Sequence, residues 1–240
     1  MSDLKFLLVI NHSSLVIDFI EVFMDIAKMI DQSLLRPDTT CTQIEQLCSE
    51  GRKYKFATVC VNPVWVKVCK ESLSGSGIKI CTVSGFPLGA NQPEIKAKEA
   101  ESAIIDGADE IDMVMNVGAF KSGDIKLMEE DINAVRSAIG KDKILKVIIE
   151  VGLLTNAEKI KATEIVKSCG ADFVKTSTGF GYGGATIEDV KLLRKIAGKD
   201  IGVKASGGIR DYQTAINLIE AGANRIGTSS GVKIVEESRG

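Results

Sequence analysis

Two lysines of this chain stand inside apolar, strand-like runs, each in a Val-Lys-x-Ser phrase followed closely by glycine. They are Lys175 in "ADFVKTSTGFGYGG" and Lys204 in "IGVKASGGIR". A buried ammonium is costly unless it is paired or gives up its proton. Two further runs carry charge in the same way, with Asp112 in "EIDMVMN" and Lys146 in "ILKVIIE". Two ammonium groups side by side disfavour one another's charged form, and desolvation acts in the same direction. The product is a neutral, nucleophilic amine of the kind that Schiff-base enzymes use on carbonyl substrates. The plainer alternative is a structural ion-pair network. Three lysines facing Asp112 and Glu150 leave like charges as neighbours, which favours the catalytic reading.

Strand parity brings these groups together. Successive strand side chains face opposite ways, and in a barrel one face meets the helices and must be apolar. Ile111, Met113 and Met115 therefore face outward and Asp112 inward. Leu145, Val147 and Ile149 leave Lys146 and Glu150 inside, Val174 leaves Lys175, and Ile201, Val203 and Ala205 leave Lys204. Lys175 and Lys204 are one strand-plus-helix unit apart, so they are expected at one level of adjacent strands.

The elements that position them alternate regularly. Eight strand-like segments begin at Met29, Phe56, Ile78, Glu110, Ile144, Asp172, Ile201 and Asn224. Helical patterns separate them, such as "PEIKAKEAESAIIDGA", with Pro93 in its first turn and Gly107 as its stop. "NAEKIKATEIVKSCGA" and "DYQTAINLIEAGA" end in the same way at Gly170 and Gly222. This order predicts an α/β fold, a (β/α)8 TIM barrel over 29–240, preceded by an N-terminal helical extension over 1–28 capped near Ser13 or Ser14. A doubly wound open sheet would carry a G-x-G-x-x-G after its first strand, and none is present there.

Active sites of this fold lie at the C-terminal ends of the strands, often with a phosphate held after strands seven and eight. The seventh strand ends in Ser206, Gly207 and Gly208, the eighth in Gly227, Ser229 and Ser230, and the sixth runs into Gly179. Glycine amides, hydroxyls and a helix start suit an anion, so a phosphorylated ligand is expected.

Composition excludes other classes. The 240 residues are 45 % apolar and 26 % charged with a formal net charge of -2, and only 5 % are aromatic. That balance gives no basic footprint for nucleic acid or an anionic membrane. The apolar run Phe6 to Ile10 is too short for a signal core or a membrane span. The six cysteines include no C-x-x-C pair and read as reduced, buried small residues of a cytoplasmic protein. His12 is the single histidine and reads as a helix-start surface residue, so neither a His-rich metal site nor a His-based triad is expected.

The motifs "IDQSLLRPDTT", "VCVNPVWV", "TVSGFPLGAN", "GADEIDMVMNVGAFKSGD", "LKVIIEVGLL", "FVKTSTGFGYGGAT" and "VKASGGIR" together closely resemble the deoxyribose-phosphate aldolase family of class I aldolases, from about Met29 to the C-terminus. The resemblance implies reversible cleavage of 2-deoxy-D-ribose 5-phosphate to D-glyceraldehyde 3-phosphate and acetaldehyde, without a metal or other cofactor. It implies Lys175 as the Schiff-base lysine and Lys204 as the neighbour that lowers its basicity and takes part in proton transfer. Asp112 would be the acid/base group. Lys146 would be an inner-wall lysine organising the charges, and Asp31 and Ser33 would touch sugar hydroxyls. A homo-oligomer, dimer or tetramer, is expected by family habit. The family's usual phrase Ile-Asp-His-Thr-Leu-Leu is altered here, with Gln32 and Ser33 in place of His and Thr. The runner-up readings are another Schiff-base aldolase of a phosphorylated sugar or keto acid, and a non-catalytic phosphate-binding barrel.

Overall fold

The computed structural model of the chain describes residues 6–9, 18–21 and 25–240. Two short strands come first, β1 (Phe6–Val9) and β2 (Asp18–Glu21). They pair antiparallel, with Phe6 opposite Glu21 and Val9 opposite Asp18. The helical extension expected over 1–28 is thereby corrected. Its two described segments are strands, in keeping with the β preference of Phe6, Val9, Phe19 and Ile20, and Ile26–Met29 is a short 3-10 turn. His12, Ser13 and Ser14 lie outside the described residues.

All eight predicted barrel strands are present. They are β3 (Ile30–Leu34), β4 (Thr58–Val61), β5 (Lys79–Ser84) and β6 (Glu110–Val114), then β7 (Ile144–Ile148), β8 (Phe173–Lys175), β9 (Gly202–Ser206) and β10 (Arg225–Thr228). Each pairs in parallel with the next, and β10 closes on β3 through Gly227 opposite Asp31. β8 is shorter than its run suggests. Beyond Lys175 the Thr176 hydroxyl accepts from the Ser206 amide and donates to the Ser206 carbonyl, both at 3.0 Å, replacing regular ladder bonds.

Helices return the chain from each strand to the next: α1 (Cys41–Tyr54), α2 (Val66–Ser72), α3 (Pro93–Asp106), α4 (Val117–Lys121), α5 (Ile125–Ile139), α6 (Asn156–Ser168), α7 (Ile187–Ala197), α8 (Tyr212–Glu220) and α9 (Gly231–Glu237). Local chemistry sets their ends. Thr155 and Glu158 form a capping box on α6, and α3 starts at Pro93 and stops at Gly107 with φ 115°, a left-handed C-cap that glycine adopts freely. Among the described residues no helix is long and apolar enough to cross a membrane.

The outward strand faces form the core with the helices. Ile111, Met113, Leu145, Val147, Val174 and Val203 are fully buried together with Ile132, Val135, Val190 and Leu193. Burying each such side chain contributes about 1.5–3 kcal/mol. Turning a strand over would set this apolar face among the charges of the barrel axis and bury its own charges against the helices, so the inward orientation of the lysines is fixed by their apolar neighbours.

Candidate active site

The barrel register sets the lysines and the aspartate against one another. Lys175 and Lys204 are direct partners across β8 and β9, as the spacing predicted. Asp112 and Lys146 are partners across β6 and β7. On the axis one Asp112 carboxylate serves all three amines. Its Oδ2 accepts from Lys175 Nζ and Lys204 Nζ, each at 2.7 Å, and its Oδ1 accepts from Lys146 Nζ at 2.8 Å. Lys175 is 3 % exposed, while Lys204, Lys146 and Asp112 have no exposed surface. The bare pair of neighbouring ammoniums expected from the sequence is therefore bridged by a shared carboxylate oxygen.

A second group of charges lies beneath this cluster. Asp31 Oδ2 is 2.5 Å from Lys204 Nζ and 3.6 Å from Lys146 Nζ, and Asp31 Oδ1 is 2.5 Å from Arg225 Nη1. Glu110 Oε2 joins Lys146 at 2.6 Å to Arg225 at 3.1 Å. Desolvation alone would favour the neutral form of each group, and here the charged neighbours outweigh it. For Asp112 burial raises the pKa, but Lys146, Lys175 and Lys204 hold it well below the usual carboxylate range. Asp31 is held low in the same way by Lys204, Lys146 and Arg225. Burial presses Lys204 down, yet Asp112 and Asp31 carry it above the ordinary lysine value. Lys204 thus remains an ammonium and Asp112 a carboxylate at neutral pH, an acid and a base side by side.

Lys175 is the one amine of this network that lines a pocket. The pocket, of about 260 Å³, opens at the C-terminal ends of the strands. Gly179 and Thr178 after β8, Gly207, Gly208 and Arg210 after β9, and Gly227 and Ser229 on and after β10 form its sides, with Ser33 of β3. The glycines after the sixth, seventh and eighth barrel strands therefore converge, as their positions predicted. Two have steric reasons. A Cβ on Gly227 would lie 3.0 Å from Lys204 Cε, in the path of that side chain, and Gly207 has φ +91° with Gly184 Cα 2.9 Å from where its Cβ would stand.

Other expected site residues sit elsewhere. Asp31 does not line the pocket, because both its oxygens are engaged by cations under the floor. Lys146 is enclosed in the same layer. Ser230 lies off the pocket at the start of α9, its amide bonded to Thr228 Oγ1 at 2.9 Å. Ser33 does line the pocket, with its hydroxyl donating to the Asp31 carbonyl at 3.0 Å. Glu150, grouped with the lysines by parity, leaves the strand pattern at φ 54° and instead accepts from the Thr178 hydroxyl at 2.6 Å and the Thr178 amide at 3.2 Å. Gln32 faces the helices, where its Oε1 accepts from the Gly231 amide at 2.9 Å and its Nε2 donates to Glu50 at 3.2 Å. The departure from the family phrase at Gln32 thus falls on a packing position.

Sequence reasoning passed over Arg225, Glu110 and Cys81. Glu110 and Arg225 open their strands, where charge is read as a solvated strand start. Their inward parity with Asp112 and Gly227 was the available signal. Cys60, Cys81 and Asp112, and likewise Asp31, Cys81 and Glu110, offer ligand atoms within 4.8 Å of one another. Every carboxylate among them is already bonded to an ammonium or a guanidinium, so the surrounding charge opposes a cation at either cluster.

Comparison with known proteins agrees with this geometry. Residues 25–237 match the model of the DeoC/LacD family aldolase. A deoxyribose-phosphate aldolase of Clostridium tetani is 56 % identical over 216 residues, covering 90 % of this chain and 100 % of the relative. One from Streptococcus gordonii is 58 % identical over 213 residues, covering 89 % and 96 %. A solved structure described as the unique tetrameric structure of deoxyribose phosphate aldolase from Aeropyrum pernix is 34 % identical, with a TM-score of 0.83 over 89 % of this chain and 90 % of that one. A charged barrel interior, one lysine lining the pocket and these likenesses meet in one conclusion: the chain belongs to the DeoC/LacD family of aldolases.

Proposed function

We propose that this chain cleaves 2-deoxy-D-ribose 5-phosphate reversibly to D-glyceraldehyde 3-phosphate and acetaldehyde, through an imine on Lys175. The observation that carries the reading is the position of Lys175, on the pocket wall and hydrogen-bonded to the Asp112 carboxylate at 2.7 Å. Its unprotonated amine adds to the C1 aldehyde, and loss of water leaves a protonated imine. The C3 hydroxyl gives up its proton, the C2–C3 bond breaks, and its electron pair flows into the imine to form an enamine. Glyceraldehyde 3-phosphate leaves, the enamine is protonated at C2, and hydrolysis of the imine releases acetaldehyde and the amine. Asp112 as carboxylate and Lys204 as ammonium, with a water, move these protons. The phosphate is received by Gly179, Gly207, Gly208, Gly227 and Ser229, with Ser230 behind them.

The chain works as a homo-oligomer, a dimer or tetramer, in the cytoplasm. The tetrameric relative supports the first point, and the buried thiols Cys48, Cys60, Cys69, Cys81 and Cys169 fit the second. Incubation with acetaldehyde and borohydride, followed by peptide mapping, tests the chemistry. A two-carbon adduct on Lys175 is expected, with loss of activity in Lys175→Leu. No adduct there, or full activity in the variant, refutes the reading.

A further inference from the structure

The loop that follows Lys175 has little backbone structure of its own. Residues 177–184 make no hydrogen bond between main-chain groups among the described residues. Four of the six residues 179–184 are glycine, and Gly179, Gly181 and Gly183 have φ of +82°, +150° and +95°. Such a segment has much conformational freedom to lose before it holds one shape. Yet Thr178, Gly179 and Phe180 line the pocket beside Lys175. The turn after β7 holds them. Glu150 Oε2 accepts from the Thr178 hydroxyl at 2.6 Å and from the Thr178 amide at 3.2 Å. Thr178 Oγ1 in turn accepts from the Phe180 amide at 3.1 Å. One carboxylate oxygen therefore fixes the amides on both sides of Gly179, while the Gly179 amide makes no bond to the protein among the described residues. Two residues beyond Glu150, Gly152 lies against the Tyr182 carbonyl, too close for a Cβ to fit between them. The same turn thus supports both halves of the loop.

Neither backbone preference nor polar satisfaction favours a glutamate at 150. Its φ of +54° is left-handed, a conformation that an L side chain adopts at a cost. Its Oε1 is buried with no hydrogen-bond partner among the described residues, which is also unfavourable. Glycine would relax the backbone, and an apolar side chain would leave no orphan oxygen, but neither could accept from Thr178. Strain held beside a site in this way points to function. Resting on the aldolase reading above, we propose that Glu150 is a positioning residue for the phosphate end of the substrate. It does not line the pocket and acts through Thr178. By fixing the Thr178 and Phe180 amides it sets the turn that leaves the Gly179 amide for a phosphate oxygen. The turn is formed before substrate arrives, so binding does not have to order it.

The test uses the full-length chain and reads the phosphate end separately from the amine. Glu150→Gly removes the acceptor and suits the left-handed backbone. The KM for 2-deoxy-D-ribose 5-phosphate and the inhibition constant of inorganic phosphate both rise about tenfold, the loss that follows deletion of a hydrogen bond to a charged group. Acetaldehyde carries no phosphate, so its borohydride trapping on Lys175 proceeds at the wild-type rate. Glu150→Gln keeps an acceptor oxygen for Thr178 and returns both constants towards the wild-type values. If Glu150→Gly does not fold, Glu150→Asn carries the test, because asparagine tolerates the left-handed backbone and is one methylene too short to make the same bonds. Unchanged KM and phosphate inhibition in the variant overturn the inference alone. So does trapping that slows as much as KM rises, which is the pattern of a merely structural role. No adduct on the wild-type chain overturns the aldolase reading and the inference with it.

Discussion

Asp112→Asn removes the charge on which the whole cluster depends while keeping the side chain's shape. Three lysine amines lose a carboxylate at 2.7–2.8 Å. Lys146 keeps Glu110 at 2.6 Å and Lys204 keeps Asp31 at 2.5 Å. Lys175 retains no other carboxylate within 4.0 Å among the described residues. Deleting one partner of a buried ion pair costs about 3–5 kcal/mol, a large part of the roughly 5–15 kcal/mol that holds a domain folded. The sign of the pH dependence separates this account from simple loss of packing. In the wild type the Asp112 pKa is depressed below 3.8, so its contribution is complete above that value and lost only as pH falls through the lower folded one. The Lys146 and Lys204 pKa values are raised above 10.5, so theirs is complete below 10.5 and lost as pH climbs beyond it. These groups therefore leave wild-type stability flat from pH 6 to pH 9. In the variant Lys146 and Lys204 each lose the Asp112 charge that raises their pKa while burial still lowers it, and wherever the unfolded chain then binds more protons than the folded one, stability rises with pH. The slope reaches about 1.4 kcal/mol per pH unit for each lysine that titrates. Urea unfolding at pH 6 and pH 9 reads both quantities. Activity falls by about 10²–10⁴, the usual contribution of a general acid–base group. A loss of stability under about 1 kcal/mol with a flat pH profile refutes the shared-carboxylate account.

Two further outcomes follow from the same geometry outside the pocket. Lys96 and Asp131 form a fully buried pair at 2.7 Å that ties α3 to α5, and Lys96 also bonds the Val114 carbonyl at the end of β6. Lys96→Met or Asp131→Leu alone lowers stability by about 3–5 kcal/mol, whereas the double variant recovers most of it; chemical denaturation of the three proteins checks this. Gln32→Ala leaves the Gly231 amide without its acceptor, costing about 1–3 kcal/mol of stability. It leaves kcat near the wild-type value, because Gln32 faces the helices and does not line the pocket that holds Lys175; thermal unfolding and steady-state kinetics on one preparation show both.

The eight strands, the helices between them and the inward set of Asp112, Lys146, Lys175 and Lys204 were legible in the sequence. All of these rest on local periodicity, alternation in strands and the 3.6-residue pattern in helices, which a linear chain displays directly. The pairing of Lys175 with Lys204 was legible too, because consecutive parallel strands in equivalent units sit in nearly the same register. The N-terminal segment was misread because short apolar runs carry too little periodicity to separate strand from helix. What only the tertiary structure decided is which charge meets which. Asp31 and Arg225 are 194 positions apart and touch because β10 closes on β3. Closure and stagger around the barrel are properties of all eight strands at once, and they alone set Asp31 against Lys204, Lys146 and Arg225 rather than on the pocket lining. The residues that could do chemistry were visible one strand at a time. Their protonation depends on a three-dimensional arrangement in which one carboxylate serves three lysines.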